Sequence, residues 1–240
     1  VICIALLFIM IRLPPRFTLL PYKTLLRSGS EGTLGIFTKI FIRLLPRPTH
    51  RKGLLVLIDN VKSAVEMISQ VMLKGRLIPS AVEFMDGVCF SLAARELKHD
   101  FPYERTRAAL LFEVDGRHPN EVAREAEIIE TLCRGKHVVG LYPADSESQL
   151  ESFWKIRKRV IWALRRRFPR ESVEDISLPI AALPDILTEL EHIGERYHVH
   201  IPVYGHAADG NLHATPVKSP QQSDSHWDSM LPHLLADIYR

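Results

Sequence analysis

The sequence predicts an α+β fold of ferredoxin-like type, with mixed strands in one sheet and the helices gathered on one face. Three observations predict it. Strand-like and helix-like segments alternate from residue 54 to residue 239. The hydrophobic share is 46% and the charged share 25%, ordinary for a globular chain in water. A length of 240 residues supplies a sizeable core for one large domain or two small ones.

The elements follow in order. Leu54–Asp59 (LLVLID) reads as a buried strand. Val61–Lys74 places Val61, Ala64, Val65, Ile68, Val71 and Met72 at helical spacing, with Gly75 as a stop. Ser80–Asp86 alternates as a strand, Val88–Glu96 reads as a helix, and Arg107–Asp115 as a strand. Pro119–Cys133 is a helix with Pro early and Glu121 and Glu125 near its positive end. Val138–Tyr142 is a short strand and Glu147–Phe168 a long basic helix. Ser172–Leu178 is a strand, Leu183–Tyr197 a helix, and Val199–Tyr204 a strand leading into a turn at Asp209-Gly210. Asp224–Tyr239 closes as a helix. The order after residue 52 is β-α-β-α-β-α-β-α-β-α-β-β-α, with no internal repeat. Residues 36–45 alternate partly as a strand, and Pro46 to Lys52 is the best domain boundary.

Charge and cysteine content exclude several classes. A net charge of +3 over 240 residues is too small to argue for nucleic acid. Cys3, Cys89 and Cys133 are scattered without a CxxC pair, which suits a reducing compartment and offers no thiolate metal site. The first eleven residues, VICIALLFIMI, are uniformly apolar but fall short of the ~20 needed to span a bilayer. They read as core material or an altered end, with contact to a membrane or a partner as the other reading.

Three stretches could carry chemistry. In Tyr204–Thr215 (YGHAADGNLHAT), Asp209-Gly210 signals a two-residue type I′ turn. That turn pairs Ala208 with Asn211, Ala207 with Leu212 and His206 with His213. Opposed residues share a sheet face with Cβ atoms ~4.5–5.5 Å apart, so His206 and His213 are either a metal-chelating pair or two surface histidines. Gly29-Ser30-Glu31-Gly32-Thr33-Leu34-Gly35 has three glycines at a spacing of three. It is either an anion cradle or a glycine-rich surface loop, and it matches no P-loop. In Phe153-Trp-Lys-Ile-Arg157, Arg157 lies one turn after Trp154 and could grip a carboxylate with both arms of its guanidinium. Arg165 to Arg167 read as a solvated basic face.

Five segments in order together resemble the flavoprotein family that includes D-lactate dehydrogenase, D-2-hydroxyglutarate dehydrogenase and the catalytic subunit of glycolate oxidase. They are GSEGTLGI at 29–36, LVLIDNVKSAV with IPSAVEFMD at 55–65 and 78–86, FWKIR at 153–157, EDISLPIAALP at 174–184, and GHAADGNLH at 205–213. The resemblance implies a remnant of an FAD-binding domain at 1–48 and a C-terminal cap domain at 49–240. It implies FAD contacts from Gly29, Ser30, Glu31, Gly32, Thr33, Gly35 and Asn211. It implies that His206 and His213 bind a divalent metal (zinc, manganese or iron), which with Arg157 holds the carboxylate and hydroxyl of a small 2-hydroxy acid. The implied reaction is oxidation of a D-2-hydroxy acid such as D-lactate or glycolate by hydride transfer to FAD. An iron–sulfur or quinone-linked partner subunit for electron transfer is implied too, with a cytoplasmic location or one peripheral at a membrane. The resemblance also has departures. The family's large flavin-binding segment is not found before Pro46, and its Glu-His-Gly motif is expected beyond Arg240. Lys158 stands where many relatives have Glu, and Ala208 where they have Gly. The chain is therefore expected to be a fragment with an incomplete site, inactive alone.

Two other readings compete with this one. An α+β module with an anion or metal site could serve binding or a subunit interface, or be a decayed remnant of such an enzyme. A metal hydrolase using His206, His213 and Asp209 is a third, weakened because Asp209 in the turn points away from the histidine face.

Overall fold

Leu54 to Ile58 form an unbroken apolar run, the pattern of a strand buried on both faces. In the computed structural model, which describes residue 33 and residues 46–240, that run lies in β1 (His50–Ile58). Its side chains divide by parity. Leu54, Val56 and Ile58 join one core cluster, and Leu55 and Leu57 join another on the opposite face.

The elements after β1 are α1 (Val61–Ser69), β2 (Ala81–Asp86), α2 (Gly87–Glu96), β3 (Ala108–Gly116), α3 (Pro119–Leu132), β4 (Val138–Pro143), α4 (Glu147–Arg167), β5 (Glu174–Ser177), α5 (Leu183–Tyr197), β6 (Val203–His206), β7 (Asn211–Ala214) and α6 (Asp224–Ile238). This is the order expected from the sequence. Local signals explain the ends. Asn60 accepts from Ser63 N at 2.8 Å and Asp86 from Cys89 N at 2.7 Å, both as N-caps. Proline occupies the first turns of α3 and α5. The helix expected over 61–74 is α-helical only to Ser69. Gln70–Lys74 form a π turn, in which Gly75 N–H reaches back five residues to Gln70 O.

The strands form one seven-stranded sheet in the order β4-β1-β3-β2-β6-β7-β5, and every pairing is antiparallel. The first four strands have the ferredoxin-like order, with β3 inserted between β1 and β2. β6, β7 and β5 extend the sheet beyond β2. The unit that holds them runs from Thr49 to Arg240.

The helices are not gathered on one face. α1, α3, α5 and α6 pack on the face that carries Val56, Phe84 and Leu110. α2 and α4 pack on the other, against Leu55, Met85 and Leu111. The reason lies in the strands: β1 and β3 are apolar at both parities, so both faces need cover. Among the described residues no helix is long and apolar enough to cross a membrane.

Candidate active site

β2 carries two carboxylates, Asp86 at its end and Glu83 within its apolar run; Glu83 alternates with buried Met85 and so projects to the face under α2 and α4. Its side chain is 3% exposed. A carboxylate at that depth needs charged or hydrogen-bonding partners. Two are present. Arg157 Nε on α4 donates to Glu83 Oε2 at 2.7 Å, and His206 Nδ1 on β6 meets Glu83 Oε1 at 2.6 Å. The sheet register sets this up, because Glu83 lies directly opposite His206.

Arg157 is itself 11% exposed, and its guanidinium carbon lies 5.0 Å from the centre of the Tyr204 ring. Among the described residues only its Nε is hydrogen-bonded. Both Nη groups are without a hydrogen-bond partner among the described residues. A partly buried fork whose two Nη groups have no partner among the described residues is an arrangement that can grip a small carboxylate.

The hairpin differs from its expected register. His206 pairs with Asn211 and Tyr204 with His213, so the loop is Ala207–Gly210, four residues rather than two. A type I′ turn requires positive φ at both central residues. Here only Gly210 has it, at 75°. The loop is tied down from both sides. Ala207 N donates to Val82 O at 2.8 Å, Leu178 N donates to Gly210 O at 3.1 Å, and Asn211 N donates to Asp209 Oδ1 at 3.1 Å. A Cβ on Gly210 would stand 1.8 Å from Leu178 O. A shift of two residues preserves side-chain parity. His206, His213, Tyr204 and Asn211 therefore still share one sheet face, with the two histidines diagonal rather than opposed.

That difference bears on metal binding. The two imidazole centres are 6.5 Å apart and the rings are nearly perpendicular. With metal–nitrogen bonds of ~2.1 Å, two rings on one tetrahedral ion have centres about 5.2 Å apart. Among the described residues no group of three His, Cys, Asp or Glu side chains is arranged to hold a metal ion. Asp209 is spent on its own loop, which removes it as a third ligand. As they stand, the donors present do not make a metal site.

The two histidines also differ electrostatically. His206 is held above the ordinary histidine value by its hydrogen bond to Glu83, which outweighs burial. His213 is pushed below that value by burial, which outweighs the attraction of Asp175. Asp175 Oδ1 lies 2.8 Å from His213 Nδ1 but off the hydrogen-bonding direction, so that buried nitrogen has no aligned partner. Asn211 Oδ1 is likewise buried without one. Burial pushes Tyr204 up to about 12.

Arg157, His206, His213 and Asn211 are thus brought to one face. Of the expected flavin loop, Gly29, Ser30, Glu31, Gly32 and Gly35 lie outside the described residues, as do the apolar start and the strand expected over 36–45, and Thr33 is exposed. Sequence reasoning missed Glu83 as a site residue. Its signal was a carboxylate inside the apolar run of a strand that is buried on both faces. It also missed Glu113, which accepts from Arg51 Nε and Nη2, each at 2.9 Å, and from the Trp154 indole at 2.5 Å.

The fold resembles that of alkyldihydroxyacetonephosphate synthase, at a TM-score of 0.56 and 16% identity over 95% of this chain and 47% of that one. It also resembles p-cresol methylhydroxylase with substrate bound, at 0.59 and 10% identity over 82% of this chain and 44% of that one. The chain belongs to the family "FAD linked oxidases, C-terminal domain", whose model matches residues 47–233. Among curated relatives it is 33% identical over 192 residues to glycolate oxidase subunit GlcD of Bacillus subtilis (strain 168), covering 80% of this chain and 40% of that one. It is 26% identical over 189 residues to the D-lactate dehydrogenase of Archaeoglobus fulgidus, covering 79% of this chain and 40% of that one. The chain spans about two fifths of the length of these relatives.

Proposed function

We propose that this chain is the substrate-binding cap portion of a flavin-dependent oxidoreductase that oxidises a small D-2-hydroxy acid, D-lactate, glycolate or a close relative. The observation that carries this reading is Arg157: a partly buried guanidinium whose two Nη groups have no partner among the described residues, on the same sheet face as His206 and His213. The names of the relatives, a glycolate oxidase subunit and a D-lactate dehydrogenase, agree with a short hydroxy acid.

In this reading Arg157 holds the substrate carboxylate by two parallel charge-assisted hydrogen bonds. His206 Nε2, the nitrogen that Glu83 leaves free, accepts a hydrogen bond from the substrate hydroxyl. Neutral Tyr204 walls the pocket under Arg157 and limits water around the charged pair. Asn211 Oδ1 offers a buried acceptor to flavin or substrate. FAD, bound by the 29–35 loop and by polypeptide outside this chain, supplies the hydride acceptor. Residues 1–48 belong to the flavin-binding part and 49–240 to the cap. A divalent ion would take His206 and His213 as two ligands only after the rings close by about an ångström, with further ligands from outside the described residues. A partner subunit that receives electrons fits the GlcD likeness.

The test is anaerobic. The flavin-loaded polypeptide that carries this chain is mixed with D-lactate, glycolate and D-2-hydroxyglutarate. Bleaching of the flavin band near ~450 nm by one of them is expected, since the cofactor carries the redox step. A flavin that none of them reduces rejects the proposal and favours a non-catalytic binding or interface module.

A further inference from the structure

We propose that Glu83 is a positioning residue for this site: one buried carboxylate that sets both the Arg157 fork and the tautomer of His206. This rests on the reading of Arg157 as the carboxylate anchor. A carboxylate accepts hydrogen bonds and donates none. Its Oε1 lies 2.6 Å from His206 Nδ1, so Nδ1 carries the hydrogen and the neutral ring keeps its lone pair on Nε2. Its Oε2 takes Arg157 Nε at 2.7 Å, which restrains the guanidinium plane and leaves Nη1 and Nη2 without a partner among the described residues. In metal sites, where a histidine must present one chosen nitrogen, a carboxylate commonly holds the other, and loss of such a partner costs about 10–100-fold in affinity or activity; the same orienting contact is made here by Glu83.

The geometry explains why a costly group is kept in the core. Glu83 is 3% exposed at mid-strand, between β3 and β6, with Leu111 opposite on one side and His206 on the other. An apolar residue there would pack against Met85 and Leu111 without any charge to compensate. The carboxylate instead gives two side chains from different elements, a helix and a strand, one common reference point. Neither has another: Arg157 makes no other side-chain hydrogen bond among the described residues, and His206 none beyond Glu83.

Two measurements decide it. In the 240-residue chain, nitrogen chemical shifts of His206 are read by NMR at about pH 9, above the ordinary histidine range. The Nδ1–H tautomer is expected, and an Nε2–H tautomer in the unsubstituted chain overturns the proposal. No flavin is needed, so this result stands even where the redox reading fails. In the flavin-loaded polypeptide, Glu83→Gln is expected to lower kcat by about 10–100-fold and to raise KM, because Arg157 keeps its charge and loses the orientation with which it grips the carboxylate. Its His206 is expected to show mixed tautomers, with Glu83→Asp intermediate. A folded Glu83→Gln with unchanged kcat and unchanged tautomer overturns the proposal. Where Glu83→Gln does not fold, the unsubstituted tautomer and Glu83→Asp carry the decision.

Discussion

Trp154 donates its indole N–H to Glu113 Oε2 at 2.5 Å, one helical turn before Arg157 donates to Glu83. Glu113 and Glu83 project from neighbouring strands to the same sheet face, so α4 is pinned to the sheet at two buried carboxylates. Arg51 completes the first of these points with a two-armed ion pair to Glu113 and a 3.0 Å bond to Glu151. The position of Arg157 over the sheet is therefore set partly by Trp154.

Trp154→Phe keeps an aromatic ring at this position and removes the donor. The change is expected to cost about 1.5–3 kcal/mol, the range for a hydrogen bond to a charged group. A urea midpoint that does not fall would show that Arg51 alone satisfies Glu113.

Arg157→Lys keeps the charge and loses the planar fork. The expected result in the flavin-loaded polypeptide is a fall of about 10–100-fold in kcat/KM for a 2-hydroxy acid, the equivalent of one charged hydrogen bond. Lys matching Arg in steady-state kinetics would remove the two-armed grip from the model of binding.

Gly210→Ala forces a side chain into positive φ and onto Leu178 O. A loss of at least about 1 kcal/mol is expected. Gly135 makes the control, since a Cβ there meets nothing within 4 Å. Gly135→Ala is expected to stay within about 0.5 kcal/mol of the parent. Equal thermal midpoints for the two variants would contradict the tied-down loop.

Cys89 and Cys133 are both buried, and burial pushes the Cys133 thiol up to about 12 and Cys89 well above its ordinary value. Little thiolate exists at either near neutral pH. Iodoacetamide at about pH 8 is expected to leave both unlabelled in the native chain and to label both after denaturation, as read by peptide mass mapping. Native labelling of Cys133 would reveal local opening of the α3 end.

Asp237 gives a pH dependence with a definite sign. Hydrogen bonds from Tyr197 at 2.9 Å and Arg196 at 2.7 Å hold its carboxyl below the ordinary aspartate value. The unfolded chain then binds this proton more tightly than the folded one. The α5–α6 tie is fully present above the unfolded value of about 4 and is lost as pH falls through the lower folded value. Thermal midpoints measured between about pH 6 and pH 3 are expected to fall less steeply in Asp237→Asn. An identical acid limb in both proteins would assign the loss to other carboxylates.

Much of this protein was legible without coordinates, because its strands and helices are written in local patterns. Apolar runs, a period near 3.6, capping Asn60 and Ser146, and early prolines in α3 and α5 determine element type and order along the chain. The same strings carry the family likeness, and with it Arg157, His206 and His213 as a set. Side-chain parity is local too, so the two histidines were placed on one face even from a wrong register.

The tertiary structure decided what depends on partners distant in sequence. The hairpin register followed from Val82 and Leu178, which hold Ala207 and Gly210 from neighbouring strands. β1 and β3, apolar at both parities, already call for cover on both faces, but which helix covers which face was decided by the tertiary packing. The role of Glu83 followed from bringing together β2, α4 and β6, separated by 74 and 123 residues in the chain. A charged residue inside a strand is a local fact. Whether it is a flaw, a surface group or the reference point of a site depends on what the fold sets beside it.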